Sequence, residues 1–171
     1  RAFGAALPAE YTLLVDQQPP SLSREVVLPG DDAPVPTCPV VARDDMAALM
    51  FTSGSTGQPN AVKVSHRNIA ANTDSIIEYL ELTSADRIMA ILPFEYCFGA
   101  SLLHTHLRVG GSLVLRNSFT YLEDLLNELD EQACTGIAGV PSSYQHLLRR
   151  SSFPNRQFPH LRYVQQAGGR L

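Results

Sequence analysis

A run of five small residues, SGSTG, follows directly after an apolar segment in the first third of the chain. The run is Ser53, Gly54, Ser55, Thr56 and Gly57, and the apolar segment covers residues 46–51. We expect residues 47–51 to form a buried strand and residues 61–65 to pair back with it. Glycines allow backbone N–H groups to approach a ligand and the hydroxyls add donors, so the loop suits an anion such as polyphosphate. A solvated turn between two strands fits the composition equally well.

The loop does not match two other well-known glycine-containing motifs. A Walker A loop needs a second glycine five residues after the first, followed by Lys and Ser or Thr, but Pro59 stands five residues after Gly54. A nucleophile elbow needs glycine two residues before its serine, and Ser53 occupies that position before Ser55. Neither a P-loop nucleotide site nor a serine hydrolase site is therefore predicted here.

The rest of the chain alternates between strand and helix patterns. Apolar runs predict strands at residues 11–15, 87–92, 112–115, 135–140 and 161–165. Apolar residues at spacings of three and four predict helices at residues 66–82, 98–107 and 121–132, and Pro141 is suited to open another. Ser65 is predicted to cap the first helix, and Gly110 to end the second. The pattern indicates an α/β fold with a largely parallel sheet and helices on its faces.

The first part of the chain differs in composition from the remainder. Residues 17–41 contain six of the twelve prolines, which disfavours a long regular element there. We therefore divide the chain into an N-terminal strand and Pro-rich connector, residues 1–43, and an α/β unit, residues 44–171.

Bulk properties exclude several function classes. The net charge is −4 and no stretch clusters Lys and Arg, so a nucleic-acid partner is not expected. No apolar run is long enough to predict a membrane span. The three cysteines are odd in number and far apart, which favours free thiols in a reducing compartment, and we expect a cytoplasmic protein. His104 and His106 are two residues apart, which is a poor spacing for a metal pair on one helix face.

The segment from Phe51 to Asn68 resembles the phosphate loop of the adenylate-forming superfamily, which includes acyl-CoA synthetases, fatty-acyl-AMP ligases and the adenylation domains of peptide synthetases. That loop reads approximately Tyr/Phe-Thr-Ser-Gly-Ser/Thr-Thr-Gly-x-Pro-Lys-Gly-Val and is followed by His-x-Asn. Residues 51–59 match throughout, and residues 66–68 follow in step. Asn60 and Ala61 depart from the usual Lys and Gly, and Lys63 is a nearby alternative source of positive charge.

Later segments resemble the same superfamily in the same order. Residues 92–99 resemble its Leu-Pro-x-x-His-x-Phe/Tyr-Gly segment, with Tyr96 at the position of the histidine. Residues 110–115, 140–144 and 161–169 resemble its Gly-Gly-Ser strand, its Val-Pro-x-x-Tyr helix and the strand and turn that face the adenine ring. The resemblance implies part of the large N-terminal domain, and we expect the chain to be a fragment that lacks the C-terminal lid domain.

The resemblance also implies a reaction and its residues. A carboxylic acid would attack ATP, with Mg²⁺, and the acyl-adenylate would pass to coenzyme A or to the phosphopantetheine of an acyl carrier protein. We expect no catalytic residue within this chain. Expected nucleotide contacts are Thr52, Ser53, Gly54, Ser55, Thr56, Gly57, Lys63, Gly168, Gly169 and Arg170, with Thr56 also near the metal. Expected walls of the acid pocket are Tyr96, Phe98 and Gly99. An incomplete sheet would expose apolar surface, so self-association is also expected.

Two alternatives remain open from the sequence. Glu95 would pair with a substrate amine if it faced the pocket, and the chain would then belong to an amino-acid adenylation domain of a peptide synthetase. The second alternative, motivated by the departures at Asn60 and Ala61 and by the missing lid domain, is a non-catalytic nucleotide-binding or interaction module derived from such a ligase.

Overall fold

The structure is a computed structural model that describes residues 14–15, 40–52, 60–116 and 118–170. The predicted loop residues 53–59 and most of the predicted connector lie outside these ranges. No helix in the described ranges is both long enough and apolar enough to cross a membrane.

A parallel sheet forms the centre of the molecule. The strands are β1 (Leu14–Val15), β2 (Met46–Thr52), β3 (Asn60–Ser65), β4 (Arg87–Ala90), β5 (Ser112–Leu115), β6 (Gly136–Gly139) and β7 (Tyr163–Gln166). Five of them form one sheet in the order β1-β5-β4-β6-β7, and every neighbouring pair in it is parallel. The other two, β2 and β3, pair with each other as a separate antiparallel hairpin.

Helices cover both faces of the sheet, as expected for an α/β fold. They are α1 (His66–Leu80), α2 (Cys97–Val109), α3 (Leu122–Glu131) and α4 (Pro141–Arg150), with a short 3-10 helix at Phe153–Asn155. Successive strand residues point to opposite faces. Met89 of β4 therefore packs with α3 and α4, while its neighbour Ile88 packs with Leu102 of α2. Helix α1 packs against α2.

The helix starts and ends that the sequence predicts at Ser65, Gly110 and Pro141 are present in the structure. Ser65 caps α1, since its hydroxyl accepts a hydrogen bond from the backbone N–H of Asn68 and the Asn68 side chain accepts one from the backbone N–H of Ser65. Gly110 ends α2 with φ of 75°, a conformation that glycine adopts without a Cβ penalty. Pro141 is the first residue of α4.

The structure corrects the burial predicted for the first strand of the hairpin. We predicted a buried strand at residues 47–51, but Phe51 is 71% exposed and Leu49 is also exposed. The reason is that β2 pairs with β3 alone and is not a member of the central sheet. Several boundaries also differ by one to three residues: α1 ends at Leu80, where Glu81 takes a left-handed conformation, β4 ends at Ala90, and β7 begins at Tyr163.

Candidate functional site

A cleft of about 1020 Å³ lies among the β2–β3 hairpin, the helices α1 and α2, and the end of β7. The hairpin contributes Ala48, Met50 and Val64. These three residues share one face of the hairpin, because Ala48 pairs with Val64 and Met50 is two residues from Ala48. The hairpin therefore has an inner face toward the cleft and an outer face that carries Leu49, its partner Lys63 and Phe51.

Helix α1 lines the cleft with side chains spaced by about one helical turn. Asn68, Ile69, Asn72 and Ile76 all belong to the lining. Residues three and four apart lie on the same side of a helix, so this is one continuous stripe. The sequence pattern correctly predicted a helix from these isoleucines, but it did not indicate that they face a cavity.

Helix α2 supplies a second wall. Cys97, Phe98, Ser101 and His104 line the cleft from its first two turns. The Ser101 hydroxyl donates to the backbone oxygen of Phe98 at 2.7 Å, which satisfies this polar group within its own helix. Burial lowers the pKa of His104, because an imidazolium loses hydration there. The cleft therefore favours a neutral His104 at physiological pH.

Strand β7 closes the cleft with Gln165, a residue that the sequence analysis missed. Gln165 is only 8% exposed, and its backbone oxygen accepts a hydrogen bond from the hydroxyl of Tyr144 in α4. The available signal was strand alternation: a glutamine stands two residues after Tyr163, at an inward position of a predicted strand.

The three residues predicted to wall an acid pocket have different environments. Phe98 lines the cleft, as described above. Tyr96 immediately precedes α2, is 65% exposed and is not among the cleft residues. Gly99 is buried, and a Cβ on it would lie 2.0 Å from the backbone oxygen of Pro93. Glycine at position 99 is thus needed for close packing of α2 against the segment that precedes it.

The amino-acid alternative requires Glu95 to face the acid pocket, but Glu95 does not line the cleft. It is exposed and lines a smaller cavity of about 320 Å³, together with Arg116, at the carboxyl ends of β4 and β5. Arg116 is paired with Glu128 of α3. Glu95 is not among the residues that line the larger cleft.

The ends of the predicted phosphate loop meet at the tip of the hairpin. Thr52 and Asn60 are register partners in the β2–β3 ladder, so the backbone on either side of residues 53–59 is held together. Ser53, Gly54, Ser55, Thr56 and Gly57 themselves lie outside the described residues. Lys63 is exposed and lies on the outer face of the hairpin, opposite the cleft.

A glycine turn follows β7 beside the cleft. Gly168 has φ of 92°, and the amide nitrogen of Gln166 donates to the backbone oxygen of Gly169 at 2.7 Å. A Cβ on Gly168 would lie 3.5 Å from Val140, which directly follows β6. Arg170 is exposed. The turn thus lies at the carboxyl ends of two neighbouring parallel strands, the edge at which open α/β sheets bind ligands.

The part of the chain that the structure describes contains no cluster of three or more His, Cys, Asp or Glu side chains suited to a metal ion. The predicted magnesium contact, Thr56, lies outside that part. A magnesium ion bound with ATP takes most of its ligands from phosphate oxygens and water, so it does not need such a cluster.

The curated proteins to which this chain is similar include two ligases. The chain is 33% identical over 119 residues to the acyl-CoA ligase sidI of Aspergillus fumigatus, which covers 69% of this chain and 20% of that protein. It is 31% identical over 127 residues to the putative acyl-CoA synthetase YngI of Bacillus subtilis, covering 74% of this chain and 23% of the relative. The chain thus spans about a fifth of the length of the curated relatives that it matches.

Solved structures point to the same class of protein. The o-succinylbenzoate CoA synthetase MenE of Bacillus subtilis, in complex with its acyl-adenylate intermediate, superposes with a TM-score of 0.69 at 29% identity over 76% of this chain and 33% of that chain. The same enzyme with ATP and a magnesium ion gives a TM-score of 0.67 at 30% identity over 75% and 26% of the two chains. The sequence model of the AMP-binding enzyme family matches residues 4–171. The chain described above therefore belongs to the AMP-binding enzyme family.

Proposed function

We propose that this chain is the nucleotide- and acid-binding part of a ligase that activates a carboxylic acid with ATP. The observation that carries the proposal is a mostly apolar cleft that adjoins the Gly168–Gly169 turn, in a chain matched by the AMP-binding enzyme family over residues 4–171. Two relatives are named as an acyl-CoA ligase and an acyl-CoA synthetase, and a solved neighbour holds an acyl-adenylate.

The proposed reaction has two steps. A carboxylate oxygen attacks the α-phosphorus of ATP, the bond to the β-phosphate bridging oxygen breaks, and pyrophosphate leaves. The acyl-adenylate then reacts at its carbonyl carbon with a thiol, of coenzyme A or of a carrier-protein phosphopantetheine, and AMP leaves. Because a carboxylate is already ionised near neutral pH, the first step needs alignment and charge stabilisation, with no general base.

Each part of the chain has a proposed task in the first step. The backbone and hydroxyl donors of Thr52 to Gly57 bind the β- and γ-phosphates, and Thr56 would help to hold Mg²⁺, which would supply positive charge to the polyphosphate. Gly168 and Gly169 lie against the adenine, with Arg170 at the same edge. The acid tail fills the cleft against Phe98, whereas Tyr96 and Gly99 lie outside its lining. Lys63, on the outer face of the hairpin, contributes long-range charge only.

The cytoplasm is the proposed compartment. Cys97 and Cys134, the cysteines within the described residues, are free thiols. Cys134 is buried, which raises the pKa of its thiol to about 12 and makes it unreactive.

The test is exchange of labelled pyrophosphate into ATP in the presence of a panel of carboxylic acids. We expect exchange that depends on the acid, on Mg²⁺ and on the loop, so Thr56→Val lowers its rate. The assay uses the natural polypeptide that contains this chain, and a variant of an exposed residue remote from the cleft, Gln145→Met, is the matched control. Exchange with no acid in the panel would contradict the proposal.

The same assay separates the two alternatives. An amino-acid adenylation domain would exchange with amino acids and lose that exchange in Glu95→Gln. The exposed position of Glu95, outside the cleft, does not support this alternative. A non-catalytic module would bind ATP in equilibrium dialysis and give no exchange with any acid.

A further inference from the structure

Two adjacent arginines precede two serines at the end of α4. The run is Arg149, Arg150, Ser151, Ser152 and Phe153. Ser152 is the only serine or threonine in the sequence with basic residues both two and three positions before it. Protein kinases whose peptide-binding site is acidic select this pattern, since guanidinium groups pair with carboxylates through two parallel hydrogen bonds. The run therefore has the charge pattern of a substrate for such a kinase.

The two arginines are free to pair with a partner of this kind. Both are exposed in the last turn of α4, and neither makes an ion pair with any residue that the structure describes. By contrast, Arg156 is paired with Asp130 of α3. Neither Arg149 nor Arg150 lines the cleft, so a protein bound to them would not have to enter it.

The two serines have different hydrogen-bond partners. The Ser151 hydroxyl donates to the backbone oxygen of Leu147 at 2.6 Å, within its own helix. The Ser152 hydroxyl donates to Oε2 of Glu123 at 2.6 Å, and the Ser152 backbone N–H donates to Oε1 of the same carboxylate, also at 2.6 Å. Glu123 is the second residue of α3. Ser152 is thus the residue that joins the end of α4 to the start of α3.

This junction depends on a charge and on a hydroxyl proton. The hydrogen bonds from the Ser152 hydroxyl and backbone lower the pKa of Glu123, so its carboxylate is ionised at neutral pH. A phosphoryl group on Ser152 would replace the hydroxyl proton and carry a charge of about −1.5 to −2. The hydroxyl could then no longer donate, and two negative groups would face each other at hydrogen-bonding distance. Such a modification is therefore incompatible with the contact to Glu123.

We propose that Ser152 is a phosphorylation site for a serine/threonine kinase with an acidic peptide-binding site, and that phosphorylation releases the end of α4 from Glu123. The Ser152 hydroxyl oxygen attacks the γ-phosphorus of the kinase's ATP, and the bond from that phosphorus to the β,γ-bridging oxygen breaks. ADP leaves, and the hydroxyl proton passes to the catalytic carboxylate of the kinase. The proposal goes beyond the proposed function, because it assigns a covalent modification site outside the cleft and does not depend on ligase activity.

The test is labelling of the natural polypeptide that contains this chain. The probe is the catalytic subunit of cyclic-AMP-dependent protein kinase with labelled ATP and Mg²⁺, and the modified residue is identified by tandem mass spectrometry. We expect phosphate on Ser152, no label at this site in Ser152→Ala, and continued labelling of Ser152 in Ser151→Ala. Arg149→Gln combined with Arg150→Gln should lower the initial rate about tenfold or more, because two charged pairs with the kinase are lost.

A second measurement tests the role of Glu123. Glu123→Ala frees the Ser152 hydroxyl and should raise the initial rate of labelling about three- to tenfold. Asp124→Ala is the matched control, since Asp124 is the neighbouring exposed acid of α3 and makes no hydrogen bond to Ser152. It removes the same charge and should be labelled at close to the wild-type rate.

Amide hydrogen exchange of the phosphorylated protein tests the proposed release. We expect faster exchange at the Ser152 backbone N–H and in the first turn of α3, with no change in α1. The proposal is overturned if Ser152 is not labelled, if the arginine variant is labelled at the wild-type rate, or if Asp124→Ala gains as much as Glu123→Ala. Unchanged exchange at Ser152, or faster exchange that extends through α1, would also contradict a local release.

Discussion

At the scale of single residues, two ion pairs of similar length show how burial determines what an ion pair contributes to stability. Arg162 and Asp86 are 2.9 Å apart, and Arg67 and Asp44 are 2.8 Å apart. The Asp86 side chain is 4% exposed, whereas that of Asp44 is 74% exposed. Asp86 also accepts hydrogen bonds from the Thr83 backbone and from the Thr135 hydroxyl, both at 2.8 Å. It therefore joins the segments that precede β4, β6 and β7.

These contacts determine the ionisation of Asp86. Burial alone raises the pKa of its carboxyl group, but the hydrogen bonds from Thr83, Thr135 and Arg162, together with the charge of Arg162, outweigh burial. The net pKa in the folded protein is lowered from its ordinary value of 3.8. A carboxyl with a lowered pKa in the folded state stabilises the protein above its unfolded pKa, and this contribution is lost as pH falls toward the folded pKa.

We predict that Asp86→Asn lowers the free energy of unfolding by about 1–3 kcal/mol at neutral pH, because it removes a buried charge from its partners. The deficit should begin to shrink as pH falls toward 3.8, the ordinary pKa of this carboxyl, and should go on shrinking until pH is below the lowered pKa of the folded protein, where the wild-type carboxyl is protonated in both states. Urea unfolding followed by circular dichroism at several pH values measures both effects. Asp44→Asn is the matched control and should cost less than about 1 kcal/mol. If Asp86→Asn and Asp44→Asn lowered the free energy of unfolding equally, the buried contacts of Asp86 would have no special role in stability.

At the scale of elements, the β2–β3 hairpin carries two of the positions at which the chain differs from the superfamily pattern, Asn60 and Ala61. Asn60 stands where the resembling loops usually have Lys, and it pairs with Thr52 at the base of residues 53–59. Consecutive strand residues point to opposite faces, so a charge added at position 60 and a charge added at position 61 would lie on opposite faces of the hairpin.

We predict that Asn60→Lys increases the affinity for ATP with Mg²⁺ by about three- to tenfold, because an ammonium beside the loop attracts the polyphosphate. The gain should decrease as salt increases, since ions screen charge interactions. Ala61→Lys is the matched control, with the same charge on the other face of the strand, and should gain little. Calorimetric titration at low and high salt measures the two variants. If both gain equally, general electrostatic attraction explains the result and the placement of position 60 has no special role.

The elements also show what the sequence could and could not predict. The apolar spacing of α3, the serine cap of α1 and the glycine after α2 are local signals, and each of those elements is present as predicted. The exposure of β2 was not predictable, because an apolar run indicates a strand but not which sheet it joins. Phe98, which the resemblance places at an acid pocket, lines the cleft, but the sequence did not single out Gln165, since the walls come from the hairpin, α1, α2 and β7, which only the tertiary fold brings together.

At the scale of the whole molecule, the hairpin adds apolar surface outside the central sheet. Its outer face carries Phe51 and Leu49, both exposed, and Lys63 is the register partner of Leu49. The inner face belongs to the cleft, so the two faces have separate surroundings. Contiguous exposed apolar side chains on a strand pair favour contact with another apolar surface.

We predict that the chain self-associates through this outer face, and that its weight-average sedimentation coefficient rises with protein concentration. Phe51→Ser combined with Leu49→Ser should weaken the association. Burial of apolar surface in a contact contributes about 25 cal/mol of free energy per Å², and the double variant loses most of this surface. Tyr121→Ser is the matched control, since Tyr121 is also an exposed aromatic residue but stands alone before α3. Because the outer face is separate from the cleft, the double variant should bind acids as the wild type does. A monomer at every concentration, or equal weakening by the control, would contradict an interface on the hairpin.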